Sequence, residues 1–496
     1  MVVSTICTAQ DKDSLSLKFS GWGMFTAGRV ESTMKDNPGS AVKDYNFEKE
    51  WLVDFDMGFK CVANLGKGLK VRTHLGLTTA YMICDDETFN STEYEMRRTV
   101  PYMIDAAIEK TYKSGDNCFF GEFGFFPVKY NPDARNLGEY LFRSGTYYGT
   151  INSGFEMADK EKLTGLHGKF THNITEKSNL QGDLFFTSDM RDYPVHDFSL
   201  SYILGANLAN IFQVSAGLMH AHMIPVDRRK TTPFYDEVLF NKSYRRLNDA
   251  CTPDYPDTGD TVIYTFQGTK AMGRLAFDPK QIFGNGDGEG FLGKEDLKLY
   301  CEAAILGLKN YPIWYENRAD RMPVMFGINW FTNQFASYCI IPGVLAYALE
   351  PISANKGKRT VRLGTAGIIT GVGTWLLDHF LQTNTRADVI SIEVEHNPSP
   401  FLNTSEAAWK FRSPLPYVGH GSRYPFDLPE KITNDDWKWS VYYSKKFGHF
   451  RLSGQVASDH FIRRMYMVGP PTNSKYTEVC PRTWDWYWMT RVMYFF

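Results

Sequence analysis

The last thirteen residues, Trp484 to Phe496, constrain this chain more than any other stretch. Read with a period of two, one face carries Trp484, Trp486, Trp488, Thr490, Val492, Tyr494 and Phe496. The opposite face carries Asp485, Tyr487, Met489, Arg491, Met493 and Phe495. A strand of this kind at the edge of a water-soluble sheet would expose three tryptophans and invite edge-to-edge aggregation. Facing lipid, the same rings would sit at the headgroup level. The alternative is the closing strand of a soluble β-sandwich, so the rest of the chain must decide.

The hairpin from Val53 to Tyr81 repeats the pattern. Val53, Phe55, Met57, Phe59, Cys61 and Ala63 share a face opposite Asp54, Asp56, Gly58 and Lys60. After a turn at 64–68, Leu69, Val71, Thr73, Leu75, Leu77, Thr79 and Tyr81 oppose Lys70, Arg72, His74, Gly76 and Thr78. Both runs reach the roughly 9–11 residues that a tilted transmembrane strand needs.

Composition fits a barrel better than a helical bundle. The chain has 496 residues, 43% hydrophobic and 15% aromatic, with a mean hydropathy of -0.34. Only alternate residues of a barrel strand need be apolar, so high aromatic content and modest hydropathy go together. No linker divides the chain into the two or three domains usual at this length. The formal net charge of -2 comes from 54 basic and 56 acidic residues, which offers no electrostatic case for nucleic acid. Eight cysteines without a CxxC are not a disulfide framework. Cys61 and Cys301 fall in apolar phases, leaving Cys84, Cys251 and Cys480 as loop candidates for pairing. Met1 to Ala9 is apolar but lacks a basic region and is too short for the apolar core of a secretory leader, which implies a signal truncated or already removed.

Strand-like segments are expected at 15–30, 50–63, 69–82, 100–112, 118–128, 146–156, 163–174, 179–189, 197–207, 211–223, 262–278, 296–309, 322–330, 387–396, 436–446, 449–462 and 484–496. That makes seventeen. An even number is required if both ends lie on one side of a membrane, so sixteen to eighteen is the expectation. The polar phase of these strands holds Asp54, Asp56, Lys60, Lys70, Arg72, His74, Asp105, Glu109, His167, Lys169, Asp183, Lys270, Arg274, Lys298, Glu302, Glu393, Lys438, Arg451, Asp459 and Arg491. A charge on the lipid phase would cost roughly 2–4 kcal/mol near the midplane. Confinement of charges to one phase therefore favours a transmembrane barrel with these residues lining its lumen.

The C-terminal alternation ending on Phe496 resembles the closing strand of bacterial outer-membrane β-barrels. That resemblance implies recognition of Val492, Tyr494 and Phe496 by the barrel-assembly machinery. The runs FPVKYNPDARNLGEYL at 126–141, GKEDLKLY at 293–300 and RMPVMFG at 321–327 resemble a group of uncharacterised porin-like outer-membrane proteins over most of the chain. The resemblance implies a barrel in a bacterial outer membrane and brings no catalytic residues. The stretch from Pro132 to Ser144 is too polar and too punctuated by Gly and Pro for a strand, and suggests a short helix folded into the pore or at its mouth.

Residues 332–386 depart from that group. Phe335 to Leu349, interrupted by Pro342, and Leu363 to Leu381, with Gly367 and Gly371 in a GxxxG arrangement, are helical candidates separated by the basic turn Lys356 to Arg359. A helical hairpin that plugs or caps the barrel is the first expectation. A membrane-associated hairpin, opposed by Asp378 and His379, and a subdomain binding an envelope partner are the others. Counting strands back from the C-terminus places this insertion on the periplasmic side.

Chemical motifs are few. Asn285, Asp287, Glu289, Gly290 and Asp296 fit positions of a calcium-binding loop, yet the flanks are strands rather than helices, so a polar turn is the simpler reading. Gly288, Gly290 and Gly293 match GxGxxG without the helix that would bind phosphate. His220 and His222 share a strand face with no third ligand, and Ser422 beside His420 is an isolated pair. GxSxG, HExxH and Walker motifs are absent.

These features predict an all-β fold, a transmembrane antiparallel β-barrel of about 16–18 strands with an inserted helical hairpin. The leading function is passive diffusion of small hydrophilic solutes, with no cofactor and no enzymatic activity. The alternatives are a plugged barrel serving as an anchor or docking platform, and an outer-membrane hydrolase.

Overall fold

The structure, a computed structural model, describes residues 15–33, 48–84, 94–142, 161–188, 197–225, 245–246, 263–264, 268–283, 292–308, 317–332, 387–398, 437–459, 461–466, 474–480 and 482–496. Its first nine strands are β1 (Ser16–Ser32), β2 (Trp51–Gly66), β3 (Leu69–Cys84), β4 (Tyr94–Ser114), β5 (Asn117–Val128), β6 (Glu161–Thr175), β7 (Ser178–Ser188), β8 (Asp197–Leu208) and β9 (Phe212–Pro225). After a two-residue pair, β10 (Arg245–Arg246) with β11 (Ile263–Tyr264), come β12 (Gly268–Phe277), β13 (Leu299–Ile305), β14 (Val324–Asn329), β15 (Val389–His396), β16 (Trp437–Phe447) and β17 (Phe450–Ser458). The hairpin β18 (Ile462–Tyr466) with β19 (Ser474–Glu478) precedes the last strand, β20 (Trp486–Phe495).

Setting aside the two small pairs, sixteen strands form one closed barrel in chain order. Each pairs antiparallel with the next, and β20 closes the ring between β17 and β1, with Trp22 opposite Phe495 and Arg29 opposite Trp488. The expected strand at 146–156 lies outside the described residues, and β5 pairs directly with β6 from Asn117–His172 to Val128–Glu161. The expected helical hairpin at 332–386 falls, apart from Thr332, outside the described residues.

Period-two alternation sets the inside and the outside. On β5, Phe123 is 59% exposed while its neighbour Glu122 is 7% exposed and points inward. Leu184 stands beside Asp183 on β7 in the same way, and Phe25 and Phe55 stand beside Thr26 and Asp54 on β1 and β2. The C-terminal strand follows its sequence phase: Val492, Tyr494 and Phe496 face out, and Asp485, Tyr487, Met489 and Arg491 are buried within. Trp486 alone departs, being buried on the outer phase beside the bulge between Val30 and Ser32.

Short connections gather at one end. Lys67 (φ 48°) and Gly68 (φ 74°) make a two-residue turn with two positive φ values, whose twist matches that of paired strands. Gly68 is required there twice over, since a Cβ would lie 2.3 Å from the Thr111 carbonyl oxygen. Both described chain ends, the 115–116, 176–177 and 448–449 turns, and the ends of β14 and β15 that bound the insertion share this short-turn end.

Aromatic rings collect outside near both ends. Tyr112, Phe119 and Phe170 form a chain of contacts at the short-turn end, as do Phe450, Tyr494 and Phe496. Trp51 against Trp488, with Arg29 over the Trp51 ring, and Phe186 stacked on Phe198 occupy the other end. The wall is uneven in height. Strands β1 to β4 run 16–21 residues, whereas β13, β14 and β15 run 7, 6 and 8, and a segment of chain packs against the inner side of this low wall.

Candidate functional site

After β5 the chain leaves the wall at Lys129 and turns into the lumen. Residues 129–142 form turns and irregular backbone rather than the short helix expected from the sequence, and 133–142 are all buried. Gly138 (φ 82°) and Glu139 (φ 60°) both adopt the left-handed region, and a Cβ on Gly138 would meet the Met325 methyl at 2.7 Å. Backbone of this shape cannot satisfy its own donors.

Three wall glutamates satisfy them. The backbone N–H groups of six consecutive residues, Arg135 to Tyr140, all donate to carboxylates. Glu393 accepts from Arg135, from Asn136 (2.8 Å) and from Leu137 (3.0 Å). Glu395 accepts from Gly138 (3.3 Å), and Glu302 from Glu139 (3.0 Å) and Tyr140 (2.9 Å). Side chains complete the set: Tyr130 and Asn131 donate to Glu302 at 2.5 and 2.7 Å, Tyr140 to Glu395 at 3.0 Å, and Tyr300 to Glu393 at 2.8 Å. Bonds to ionised acceptors are worth roughly 1.5–3 kcal/mol each. The segment is therefore fastened to the wall.

Cations hold the other face. Arg274 donates to Asn131 (2.9 Å) and Asp133 (2.5 Å), Lys298 pairs with Asp133 at 2.9 Å, and Lys270 donates to the Tyr140 and Leu141 carbonyls at 3.3 and 3.4 Å. Leu137, Tyr140, Leu141 and Phe142 fill the space between Phe126, Phe185, Ile203, Met272 and Met325. Lys270, Arg274, Lys298 and Glu302, read from sequence as lumen-lining, here hold this segment.

Burial works to raise the Asp133 carboxyl, but Lys298 and Arg274 outweigh it and hold the group down at about 2. A depressed folded value contributes stability above the ordinary carboxylate range, and that stability is lost as pH falls through the folded value. The contribution is roughly 2 kcal/mol. Acidification from about pH 4 to about pH 2 is therefore expected to loosen the segment, seen as faster hydrogen exchange of its backbone amides. Asp133→Asn should show part of the loosened behaviour already at neutral pH and a smaller further change across that window.

A second charged group lies on the tall wall. Arg72 on β3 reaches Asp105 (2.9 Å) and Glu109 (2.5 Å) on β4 and Glu122 on β5. His167 on β6 faces Glu122 at 3.4 Å through Nδ1 and Asp183 on β7 at 2.9 Å through Nε2. Its ring stacks on Phe185 at 4.2 Å. Lys70 sits 3.6 Å from Glu109, and Lys169 4.0 Å from Asp183. His74 accepts from the Trp22 indole at 3.2 Å. Asp54, Asp56 and Lys60 continue this face on β2 at intermediate burial.

A third group fills the lumen beneath β16, β17 and β20. Lys438 donates to the Cys480 carbonyl (2.5 Å), Tyr487 to Asp459 (2.8 Å), and Thr33 to the Val479 carbonyl (2.8 Å). Cys480, a candidate for pairing on sequence grounds, is a buried thiol here. Arg491 donates to Thr26 at 3.1 Å, and Arg451 lies over the Phe495 ring.

Other sequence candidates go elsewhere. Asp296 accepts from Thr332 (2.7 Å) and from the Gly293 amide (2.7 Å), and its carbonyl accepts from Lys280. It braces the β12–β13 connection, and Asn285, Asp287 and Glu289 lie outside the described residues. Among the described residues no cluster suits a metal ion. His220 is on the outer phase of β9, 3.1 Å from Thr269; the His222 side chain, His420 and Ser422 are not among the described groups.

No family model matches the chain, and no curated protein matches it. Solved porins resemble it distantly. A triple mutant of Rh. blastica porin is 8% identical with a TM-score of 0.38, covering 97% of this chain and 100% of its own. A second triple mutant, of Rhodopseudomonas blastica porin, has the same identity and coverage with a TM-score of 0.36. The barrel assignment rests on the strand pairing itself.

Sequence reasoning missed Glu122, Glu395, Tyr130, Tyr140 and Asp133. Glu122 and Glu395 were findable, since both stand on the polar phase of expected strands. The loop residues carried no comparable signal.

Proposed function

We propose that this barrel spans a bacterial outer membrane and works as a porin-like channel for passive diffusion of small hydrophilic solutes. The observation that carries this reading is the segregation of the wall: apolar residues outside between two aromatic girdles, and the Arg72 to Asp183 charge band inside. An apolar outer band with aromatic girdles suits a bilayer. A sixteen-stranded ring is wide enough to hold an aqueous channel, and the segment at 129–142 narrows it from the low wall. The water path then follows the β1–β7 wall, lined by Asp54, Asp56, Lys60, Lys70, Arg72, His74, Asp105 and Glu109. The outward Val492, Tyr494 and Phe496 are available to the barrel-assembly machinery during insertion.

Purified, refolded full-length protein in a planar bilayer should give discrete, stable conductance steps. A folded barrel that stays silent would move the assignment to the second reading, an anchor or docking platform for an envelope partner. That reading is favoured by the two segments packed inside the lumen, at 129–142 and around Val479 and Cys480.

A further inference from the structure

Five basic side chains stand at the short-turn mouth, each within three residues of the end of its strand. They are Lys18 on β1, Lys70 on β3, Lys113 on β4, Lys446 on β16 and Arg451 on β17. Their strands belong to one continuous arc, β16, β17, β20, β1, β2, β3 and β4. Alternation turns them inward, because Leu17, Phe19, Tyr112 and Phe450 beside them are exposed on the outer surface. Lys18, Lys113 and Lys446 are exposed, and the Lys70 side chain keeps 45% of its surface.

Two details set this arc apart from an ordinary polar rim. Lys446 and Arg451 are register partners on adjacent strands, an arrangement of like charges that destabilises a sheet unless something compensates. The Arg451 Nε–H is also buried with no hydrogen-bond partner among the described residues, and its guanidinium lies over the Phe495 ring, so among those residues no carboxylate answers the charge where two cations meet. Among the described residues the acids beside these five groups are Glu109 next to Lys70, Asp388, whose carboxylate accepts the Lys446 backbone N–H at 2.8 Å, and Asp116 in the β4–β5 turn. Among the described residues of this arc the basic groups outnumber the acids. Deeper along the wall the acids Asp105 and Glu122 are nearly covered, at 5% side-chain exposure, and are already engaged by Arg72 and His167. A solute entering from this end therefore meets ammonium and guanidinium groups first.

We propose that the short-turn mouth is an anion-collecting vestibule, with Lys446 and Arg451 as its strongest subsite, and that the channel prefers small solutes bearing carboxylate or phosphate groups. The inference rests on the channel reading above. At about 0.1 M salt the Debye length of about 10 Å lets charges on neighbouring strands act together on an ion in a narrow opening.

The test is the zero-current potential of the full-length protein across a KCl gradient, followed by titration with inorganic phosphate. Chloride is expected to permeate over potassium by roughly threefold at low salt, falling as salt rises, and phosphate should reduce the chloride current. Lys446→Glu with Arg451→Glu should reverse the sign of the potential. Lys18→Glu with Lys113→Glu, at exposed positions, should shift it the same way and covers the case in which the first pair fails to fold. Cation preference in the intact protein, or no shift in a folded variant, overturns the vestibule while leaving the channel intact. A folded barrel with no conductance overturns the channel reading and the vestibule with it.

Discussion

Replacing residues 131–141 by a short Gly-Ser bridge is expected to raise single-channel conductance several-fold, while the barrel still folds and inserts. The wall does not depend on the segment for its pairing: β5 hydrogen-bonds directly to β6, and β12 to β15 pair with one another through their own backbones. What the segment occupies is lumen. Its removal would uncover Glu302, Glu393, Glu395, Lys270 and Arg274, all 0–5% exposed, and hand them to water. A sixteen-stranded barrel freed of its filling approaches an open aqueous channel. A gentler variant separates bulk from attachment. Glu393→Leu leaves the Arg135, Asn136 and Leu137 N–H groups without their acceptor, and each buried donor left unsatisfied costs about 1–3 kcal/mol. The segment should then come loose in part, giving current that flickers between two levels. Unchanged conductance in the bridged variant would show that the constriction lies elsewhere.

The barrel was legible in the sequence because its code is local. Phe123 beside Glu122, or Leu184 beside Asp183, declares inside and outside within two residues, and tight turns such as Lys67-Gly68 punctuate the strands. Element ends were less legible where the chain continues apolar past the wall. The expected strand at 449–462 is broken after Ser458, where Asp459 turns in to meet Tyr487. The expected strand at 262–278 enters the barrel only at Gly268.

The inward segment was legible only as an anomaly, a polar run rich in turn residues. Its destination depends on backbone N–H groups, which have no sequence signature, and on glutamates more than 160 positions away. Glu302 and Glu393 were recognised as inward residues but not linked to this segment, because alternation reports which way a side chain points and not what it meets. The low wall held a further hint. Strands as short as β13 to β15 carry three inward glutamates among them, more charge than such short strands need for solubility.

Arg72→Met should have the second-largest effect, and it should appear in both selectivity and stability. One guanidinium serves three carboxylates, on β4 and β5, and Glu109 and Glu122 are register partners that would otherwise face each other as like charges. Removing one partner from a mostly buried charged group typically costs about 3–5 kcal/mol, since the remaining charges lose their compensation. Relief by water from the lumen puts the expectation toward the lower end. In permeation the same change exposes a cluster of acids on the path, so potassium should gain on chloride, reducing or reversing the anion preference set at the mouth. Arg72→Lys should restore charge but not the three-way fork, because an ammonium cannot present the planar donors of guanidinium to carboxylates on two strands. Its selectivity should therefore stay near that of the intact protein while its stability falls between the two. Combining Arg72→Met with Glu109→Gln and Glu122→Gln should recover most of the lost stability, as expected when both sides of a buried ionic group are neutralised together. If Arg72→Met alone changes neither the zero-current potential nor the denaturant midpoint, the cluster is a bystander, and the water path must run along a different sector of the wall.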